Sequence, residues 1–181
     1  MSWKKLASRT VYENPWMRVL EDHVVNPGGG ENHYGWIHFR NRAIAILALD
    51  ENDNTWLVGQ QRYTLGEYSW ELPMGGAALD EDPLDAAKRE LREETGLRAR
   101  FWKPLMRIHT SNSVTDEVGF VYAASGLTRG AAAPEDTEQL EVATLPLADA
   151  VQWALDGRIT DAVSVAGILY AAARPPEAGL R

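Results

Sequence analysis

The stretch Gly75–Leu97, GGAALDEDPLDAAKRELREETGL, carries the strongest signals in this chain for both fold and chemistry. Asp82 is a good N-cap, Pro83 suits the first helical position, and Gly96 is a natural C-terminal stop. One apolar stripe recurs at spacings i, i+3 and i+7 and is formed by Leu84, Ala87 and Leu91. The stretch therefore predicts an amphipathic helix that begins at Asp82 and ends at Gly96.

Three glutamates, Glu90, Glu93 and Glu94, fall within about 100° of arc on this helix. Like charges at i and i+4 destabilise a helix by about 0.2–0.5 kcal/mol, so a compensating partner is expected. One candidate is the set of interleaved cations, which would make an ordinary salt-bridged face. The other is a divalent metal, because magnesium prefers oxygen ligands. The charge pattern alone favours the salt-bridged face and leaves the metal open.

The same stretch resembles the Nudix box, G-x5-E-x7-R-E-U-x-E-E-x-G-U, in which U is aliphatic. Seven fixed positions demand one residue type each, so a chance match at a given start is on the order of one in a hundred million. The resemblance implies an α/β fold of the Nudix type, an α/β/α sandwich with a mixed sheet, and attack of a metal-activated water on a pyrophosphate. The matched positions are Gly75, Glu81, Arg89, Glu90, Leu91, Glu93, Glu94, Gly96 and Leu97.

The resemblance also implies roles for individual residues. Arg89 resembles the arginine that orients a box glutamate, and it joins Glu94 as a predicted catalytic residue. Glu81 resembles a structural carboxylate, whereas Gly75 and Gly96 look conformational. The implied cofactor is Mg²⁺, for which Mn²⁺ could substitute. The implied metal ligands are three carboxylates and one backbone carbonyl, from Glu90, Glu93, Glu94 and Met74.

Hydrophobic patterning outside the box predicts a β-rich, helix, β-rich, helix order, which indicates an α/β or α+β layered fold. The apolar run 43–49 is expected to form a hairpin with 55–60 across a turn at 50–54. Further predicted strands are 101–108, 118–124 and 140–145. Predicted helices are 147–156, stopped by Gly157, and 161–173, capped by Thr160.

Residues 1–40 are predicted to be extended, with strands at 16–25 and 34–39 around a turn at 26–30. We expect an N-terminal antiparallel β extension at 1–40, a catalytic domain at 41–174 and a tail at 175–181. The extension resembles one found in nucleoside diphosphate sugar pyrophosphatases, where it exchanges with a partner and builds a homodimer.

Flanking segments resemble the approach to the box in ADP-ribose and ADP-sugar pyrophosphatases, notably QQRY at 60–63 and SWELP at 69–73. Arg62 would contact the diphosphate through its bidentate fork, or else form a surface salt bridge. Aromatic rings in the N-terminal segment would stack on a base, or else belong to the core or a dimer interface. The predicted substrate contacts are Gln61, Arg62, Glu71, Glu117, Tyr34 and Trp36.

Two acidic loops are candidates for a further catalytic group. The loop at 111–117 resembles one that carries proline in the ADP-ribose subgroup, but Asn112 stands there in this chain. In the loop at 134–141, Glu138 is predicted as the catalytic base or an extra metal ligand. Its rivals are Glu135, Asp136 and Glu117, and an ordinary solvated loop is the alternative for each.

Composition limits the remaining function classes. The net charge of −8 and the lack of a basic cluster argue against nucleic-acid binding. The chain has no cysteine, which excludes disulfides and the cysteine chemistry of isoprenoid isomerases in their common form. No signal peptide or membrane-length apolar run is visible, so a cytoplasmic protein with no membrane partner is expected.

These features predict a magnesium-dependent hydrolase that cleaves the pyrophosphate of a nucleoside diphosphate sugar, of ADP-ribose, ADP-sugar or GDP-sugar type. The products would be a nucleoside monophosphate and a sugar phosphate. One alternative is a Nudix hydrolase of nucleoside triphosphates, capped RNA or dinucleoside polyphosphates. A second is a non-catalytic nucleotide sensor, which usually requires a broken box. The base, the sugar, the phosphorus attacked and the number of metal ions stay open.

Overall fold

The computed structural model describes residues 2–130 and 140–174 of the 181-residue chain. The predictions for Glu135, Asp136, Glu138 and the tail at 175–181 lie outside these residues. No helix within the described part has the length and apolar character that a membrane crossing requires. The strands are β1 Lys4–Glu13, β2 Met17–Val25, β3 Glu31–Phe39, β4 Asn41–Ala48, β5 Asn54–Arg62, β6 Glu67–Glu71, β7 Met74–Ala78, β8 Leu97–His109, β9 Val118–Arg129 and β10 Glu141–Pro146. The helices are α1 Pro83–Thr95, α2 Leu147–Leu155 and α3 Ala162–Ala172.

The first three strands form a separate antiparallel sheet in the order β1-β2-β3. The predicted hairpin is confirmed as β2 and β3, which pair from Met17 with Phe39 to Val25 with Glu31. Its turn is fixed by Asn26, whose Oδ1 accepts from the backbone N–H of Gly28 at 2.8 Å. The prediction gave residues 1–40 as extended and did not assign β1 as a third strand.

The central sheet has the order β7-β4-β9-β8 and is mixed, because β4 and β9 are parallel while the other pairs are antiparallel. β4 is buried on both faces, as its uninterrupted apolar run predicted. Its even-numbered residues, with Ile46 at the centre, pack in one cluster with Leu91 of α1. Its odd-numbered residues, with Leu47 at the centre, pack in a second cluster with Ile168 of α3. The predicted layered α/β fold, with helices on both faces of a mixed sheet, is therefore confirmed.

Helix α1 has the ends that its sequence predicted. The Asp82 side chain accepts from the backbone N–H groups of Leu84 and Asp85 at 2.8 and 3.3 Å. Gly96 has φ 72° and ends the helix in the left-handed region, which glycine adopts without a Cβ clash. The buried face of the helix includes Leu91 and one carboxylate, Glu94.

The predicted hairpin between 43–49 and 55–60 is wrong. A single bridge joins Leu49 to Thr55, after which the two strands enter different sheets. β5 pairs with β6 and β10, while β4 pairs with β7 and β9, so both edges of each strand are already occupied. Adjacency in sequence predicted the pairing, but β4 is flanked by the distant β7 and β9, whereas β5 is flanked by the next strand, β6, and by the distant β10.

Two smaller predictions also need correction. Thr160 does not cap α3, because the N-cap is Asp161, whose side chain accepts from Ser164 N–H at 2.7 Å. The five-residue strands β6 and β7 were not predicted, and β7 contains Gly75 and Gly76, a residue type depleted in strands. β8 and β9 extend further than predicted, and they form a long antiparallel pair.

Candidate active site

The candidate site forms where β7 runs beside the last turns of α1. Glu94 is buried, with 3% exposure, and its Oε2 accepts from the backbone N–H of Met74 at 2.9 Å. Met74 is the first residue of β7, and it pairs with Ala45 at the centre of the sheet. The central sheet thus fixes the backbone of Met74, and the hydrogen bond fixes the carboxylate beside it. Two predicted metal ligands are brought together in this way.

Gly75 provides the space for a second predicted ligand, Glu90. A Cβ built on Gly75 would lie 2.2 Å from Cδ and Oε1 of Glu90 and 2.4 Å from Oε2. The Glu90 carboxylate therefore lies directly against the backbone of β7, at a distance that any side chain at position 75 would prevent. The prediction treated this glycine as conformational, but its φ is not positive, and the close approach of Glu90 is the physical reason for glycine here.

Arg89 connects the carboxylates of this site. Its guanidinium donates to Glu81 at 3.2 and 3.3 Å, to Glu90 Oε1 at 2.7 Å, to Glu93 Oε2 at 3.2 Å and to the carbonyl of Gly76 at 2.8 Å. Burial disfavours the charged guanidinium, but the hydrogen bond with Glu81 and the charge of Glu90 outweigh it and raise the pKa of Arg89. Arg89 therefore stays cationic and holds two of the box glutamates in place.

The carboxylates of Glu81, Glu90 and Glu93 all accept hydrogen bonds from the Arg89 guanidinium. Within residues 2–130 and 140–174, no three carboxylate or imidazole groups converge closely enough to form a metal-binding cluster. The Glu93 carboxylate accepts hydrogen bonds from both Arg89 and Arg92, whereas the Glu90 carboxylate lies against Gly75. The donor set nevertheless suits a hard divalent cation, because carboxylate and backbone oxygens are the ligands that magnesium prefers. The absence of a side chain at Gly75 lets the Glu90 carboxylate lie beside the backbone of β7, which also suits a divalent-metal site.

Arg62, a predicted substrate-binding residue, lies within electrostatic range of Glu94. Its Nε donates to Glu71 Oε1 at 2.8 Å and its Nη2 donates to Glu71 Oε2, so the guanidinium fork is bidentate on this acid. Glu71 has 3% exposure. The hydrogen bond to Glu71 raises the pKa of Arg62, and the negative charges of Asp161 and Glu94 contribute. Arg62 is thus held beside the glutamate site by a partly buried ion pair.

Gln61 does not accompany Arg62 toward the glutamates. The two are neighbours in β5, and successive side chains of a strand point to opposite faces. Gln61 is exposed and pairs across the strands with Tyr68, on the face where Tyr68 also covers Gly59. Both residues were predicted as substrate contacts, and the strand geometry directs their side chains to opposite faces of β5.

Tyr34 and Trp36 lie at a second location, between the N-terminal sheet and the loop that joins β8 to β9. β3 is bound to this loop by a hydrogen bond from Ile37 N–H to the carbonyl of Val114 at 2.8 Å. Glu117, in the same loop, accepts from the hydroxyl of Thr110. Tyr34 and Trp36 therefore lie beside the β8–β9 loop, whereas Arg62 and Glu71 lie beside the box glutamates.

The sequence reasoning missed Asp22, which is buried in the N-terminal sheet beside Trp36. A signal for it was present. Leu20, Asp22 and Val24 alternate along β2 and are all buried, so Asp22 is the single acid in an inward-facing row. A polar residue in an otherwise apolar row is the informative exception in such a pattern.

Comparisons with known proteins agree with this geometry. The NUDIX domain family matches residues 39–166, and the family described as nucleoside diphosphate sugar hydrolase N-terminal domain matches residues 3–37. The chain is 35% identical over 179 residues to an ADP-ribose pyrophosphatase of Mycobacterium tuberculosis, covering 92% of this chain and 82% of that protein. It is 28% identical over 169 residues to a methanol dehydrogenase activator of Bacillus methanolicus, covering 92% and 91%.

A solved structure of an ADP compounds hydrolase superposes with a TM-score of 0.85 over 95% of this chain and 93% of that one. At 20% identity this likeness shows the fold alone. The matched domain spans well over half of the residues, and the chain therefore belongs to the Nudix family. It is a hydrolase of pyrophosphate bonds, of the class that acts on nucleoside diphosphate sugars. Enzymes of this family generally need a divalent metal, typically Mg²⁺.

Proposed function

We propose that this enzyme hydrolyses ADP-ribose or a closely similar ADP-sugar. Water adds across the P–O–P bridge, and the products are AMP and a sugar phosphate. The observation that carries the chemistry is the placement of Glu90 against Gly75 and of Glu94 on Met74 N–H, which sets two carboxylates at one backbone segment. The similarity to an ADP-ribose pyrophosphatase along almost the whole chain supports the ADP-sugar class.

Mg²⁺ is the proposed cofactor, with Mn²⁺ able to replace it, and Glu90, Glu93, Glu94 and the carbonyl of Met74 are its proposed ligands. When bound, the metal would neutralise phosphate oxygens and lower the pKa of water. All four groups supply oxygen atoms, as a hard cation requires. Three lie on one helix, so their relative positions are set by a rigid element.

The remaining residues of the site position these groups and the substrate. Arg89 orients Glu90 and Glu93 through hydrogen bonds at 2.7 and 3.2 Å. Arg62 is proposed to face the diphosphate, since Glu71 fixes its guanidinium while 37% of its side chain stays exposed. Its fork is occupied by Glu71, so a phosphate would meet the outer edge of the guanidinium and not the pair of donors that Glu71 uses.

A catalytic base is still required, and Glu138 remains the proposed one on the resemblance of its loop. Glu135 and Asp136 are its rivals in the same loop, and Glu117 is a third. The panel of acid-to-amide substitutions Glu135→Gln, Asp136→Asn, Glu138→Gln and Glu117→Gln separates them. We expect Glu138→Gln to lower kcat by about 10²-fold or more, which is typical of losing general base catalysis.

The substrate proposal is tested by assaying ADP-ribose, ADP-glucose, GDP-mannose, UDP-glucose, diadenosine polyphosphates and nucleoside triphosphates with Mg²⁺, read as phosphate released after phosphatase treatment. We expect the ADP-sugars to be hydrolysed with the highest kcat/KM. Cleavage of triphosphates alone would contradict the proposal.

The metal assignment is tested by Glu94→Gln, which keeps an oxygen to accept from Met74 N–H but removes the charge. Turnover should be lost while the fold is kept, as judged by circular dichroism. Asp85→Asn is the matched control, because it makes the same change on an exposed position of the same helix. Full activity of Glu94→Gln would disprove the assignment.

We propose a homodimer built through the N-terminal β extension, residues 1–40. Every residue of β1 is exposed, and large apolar side chains on and beside it are 43–67% exposed, namely Trp3, Leu6, Val11, Tyr12 and Trp16. Exposed apolar surface on an edge strand favours association. Light scattering at micromolar protein should give twice the chain mass, and Val11→Lys with Trp16→Glu should reduce it to one. A monomer mass for the unaltered protein would contradict the proposal.

The catalytic domain is proposed to span 41–174, with a tail at 175–181. The separate N-terminal sheet supports a boundary near residue 40. A cytoplasmic location is proposed as well, to which a chain without cysteine is suited.

A further inference from the structure

A cavity of about 370 Å³, which we call the basic cleft, lies between α1 and the start of β8. Four cations and one acid line it, although the chain as a whole has a net charge of −8. The cations are Lys88, Arg89 and Arg92 of α1 and Arg98 of β8, and the acid is Asp85. Cations gathered on one cavity of an acidic protein indicate that an anion binds there.

Arg89 differs from the other three cations of the basic cleft, because its hydrogen bonds are taken by the glutamate site. A guanidinium has five N–H donors. Those of Arg89 go to the carboxylates of Glu81, Glu90 and Glu93 and to the carbonyl of Gly76. Arg89 therefore forms a wall of the cleft, and we assign no ligand contact to it.

The other three cations have donors available for a ligand. Arg98 is exposed, and its side chain forms no hydrogen bond or ion pair with the part of the chain that the structure describes. Arg92 donates through Nη2 to Glu93 Oε1 at 3.1 Å, and 46% of its side chain is exposed. Lys88 donates to Asp85 at 2.9 Å, and an exposed pair of this kind contributes at most about 1 kcal/mol. A ligand can therefore recruit all three side chains at little cost.

The types of donor favour a phosphate group over a carboxylate. Two guanidinium groups and one ammonium group remain available on the lining of the same cavity. A carboxylate offers two oxygens in one plane, whereas a phosphate group offers at least three oxygens in a tetrahedral arrangement. Guanidinium binds phosphate through two parallel hydrogen bonds, and ammonium binds it as a point charge. One phosphate group can thus accept from α1 and from β8 together.

Trp102 of β8 gives the basic cleft an aromatic wall. Its side chain is half-buried, and its indole Nε1 donates to the carbonyl of Ala99 at 3.2 Å, which fixes the ring. The volume of about 370 Å³ lies within the range of small-molecule sites and exceeds what a bare phosphate ion fills. The organic part of a small phosphate ester can therefore lie against this ring.

Cations on β8 also have a second purpose, because β8 is an edge strand of the central sheet. Charged side chains on an edge strand discourage pairing with other chains. This purpose is enough to explain Arg100 and Arg107, which belong to β8 but do not line the cleft. It does not explain Lys88 and Arg92, which line the same cavity from a helix. The convergence of two elements on one cavity is the observation that indicates a ligand.

We propose that the basic cleft binds a phosphate group, carried by inorganic phosphate or by a small phosphate ester, and that Arg98 is its main recognition residue. Lys88 and Arg92 complete the contacts from α1. The box glutamates do not line this cleft, and without a metal their negative charge repels an anion. Binding in the cleft does not depend on which diphosphate the enzyme hydrolyses. Loss of a hydrogen bond between charged groups lowers affinity by about tenfold to a hundredfold.

The test is calorimetric titration of the metal-free protein, at low salt, with inorganic phosphate and separately with phenyl phosphate, whose ring can lie on Trp102. At least one of the two should bind at millimolar concentration or below. Arg98→Glu should weaken this binding by at least about tenfold. Arg100→Glu is the matched control, because it makes the same change of charge two residues along β8 but outside the cleft. Its affinity should stay within about threefold of that of the unaltered protein.

Asp85→Asn should change the affinity in the opposite direction. It removes the acid from the cleft and releases Lys88, so the anion should bind about two- to fivefold more tightly, a gain that a damaged fold does not produce. Tighter binding of phenyl phosphate than of inorganic phosphate supports an ester as the ligand, whereas equal or weaker binding supports the free ion. The proposal is overturned if neither compound binds at millimolar concentration, if Arg98→Glu and Arg100→Glu have equal affinities, or if Asp85→Asn gains none.

Discussion

Replacing Gly75 with alanine tests whether the approach of Glu90 to β7 matters for catalysis. The new Cβ would lie 2.2 Å from Glu90 Oε1, whereas ordinary van der Waals contact begins at 3.4 Å. The carboxylate must therefore retreat by about 3.4 − 2.2 = 1.2 Å. A displacement of about 1 Å in a positioned group costs about 10²-fold in rate, which corresponds to about 2.7 kcal/mol in the activation free energy.

The assay is magnesium-dependent hydrolysis of ADP-ribose, together with thermal unfolding. We expect kcat/KM of Gly75→Ala to fall about 10²-fold. Its unfolding midpoint should fall by no more than about 4 °C, because the clash is with the end of a flexible side chain. Gly35→Ala is the control, since a Cβ there would meet nothing within 4 Å, and it should retain full activity.

A double-mutant cycle with Glu90→Ala gives the stricter test. Glu90→Ala lowers activity by itself, but it removes the carboxylate with which a methyl group at position 75 would clash. Adding Gly75→Ala in that background should therefore cost less than about threefold. The reasoning is refuted if Gly75→Ala keeps activity within about threefold of the unaltered enzyme. It is equally refuted if the substitution costs the same factor of about 10² when Glu90 is already absent.

Three further predictions concern stability. Arg62→Ala leaves Glu71 buried without its cation, so the free energy of unfolding in urea should fall by about 3 kcal/mol. The double variant Arg62→Ala with Glu71→Gln should recover part of this loss. An unchanged free energy of unfolding in Arg62→Ala would show that the ion pair does not stabilise the fold. Gly96→Ala forces a side chain into φ 72°, so it should lower the free energy of unfolding by about 1–2 kcal/mol. A thermal melt identical to that of the unaltered protein would contradict this prediction. Burial opposes ionisation of Asp50, but hydrogen bonds from Asn54 and Asn52 outweigh it and lower the pKa of this carboxyl. The ionised side chain therefore stabilises the fold above the unfolded pKa, near 4, and this stabilisation is lost as the pH falls through the lower folded pKa. The stability difference between the unaltered protein and Asp50→Asn, followed by urea unfolding between pH 7 and pH 2, should therefore disappear at the acid end and not at the alkaline end.

The fold could be predicted where the signals were local. Helix α1 follows from a cap at Asp82, an apolar stripe and a terminal glycine, all within one short segment of the chain. The wrong hairpin shows the limit of that reasoning. Residues 43–49 and 55–60 have the pattern of two strands and a turn, yet β4 pairs with the distant β7 and β9, and β5 pairs with the adjacent β6 and the distant β10. A strand's own sequence specifies that it is a strand but not which edge it will occupy.

The site divides in a similar way. The amino-acid sequence by itself determined the box: the residue types, their spacing on one helix face, and hence the chemistry that they can support. Only the tertiary structure decided that Glu90 lies on Gly75, that the fork of Arg62 is taken by Glu71, and that Asp22 is buried with one oxygen unpaired among the residues that the structure describes. Helix periodicity is set by backbone hydrogen bonds between residues four apart, so spacing is enough to predict it. Contacts between side chains on different strands and helices depend instead on how distant segments pack, and no spacing within a single segment contains that information.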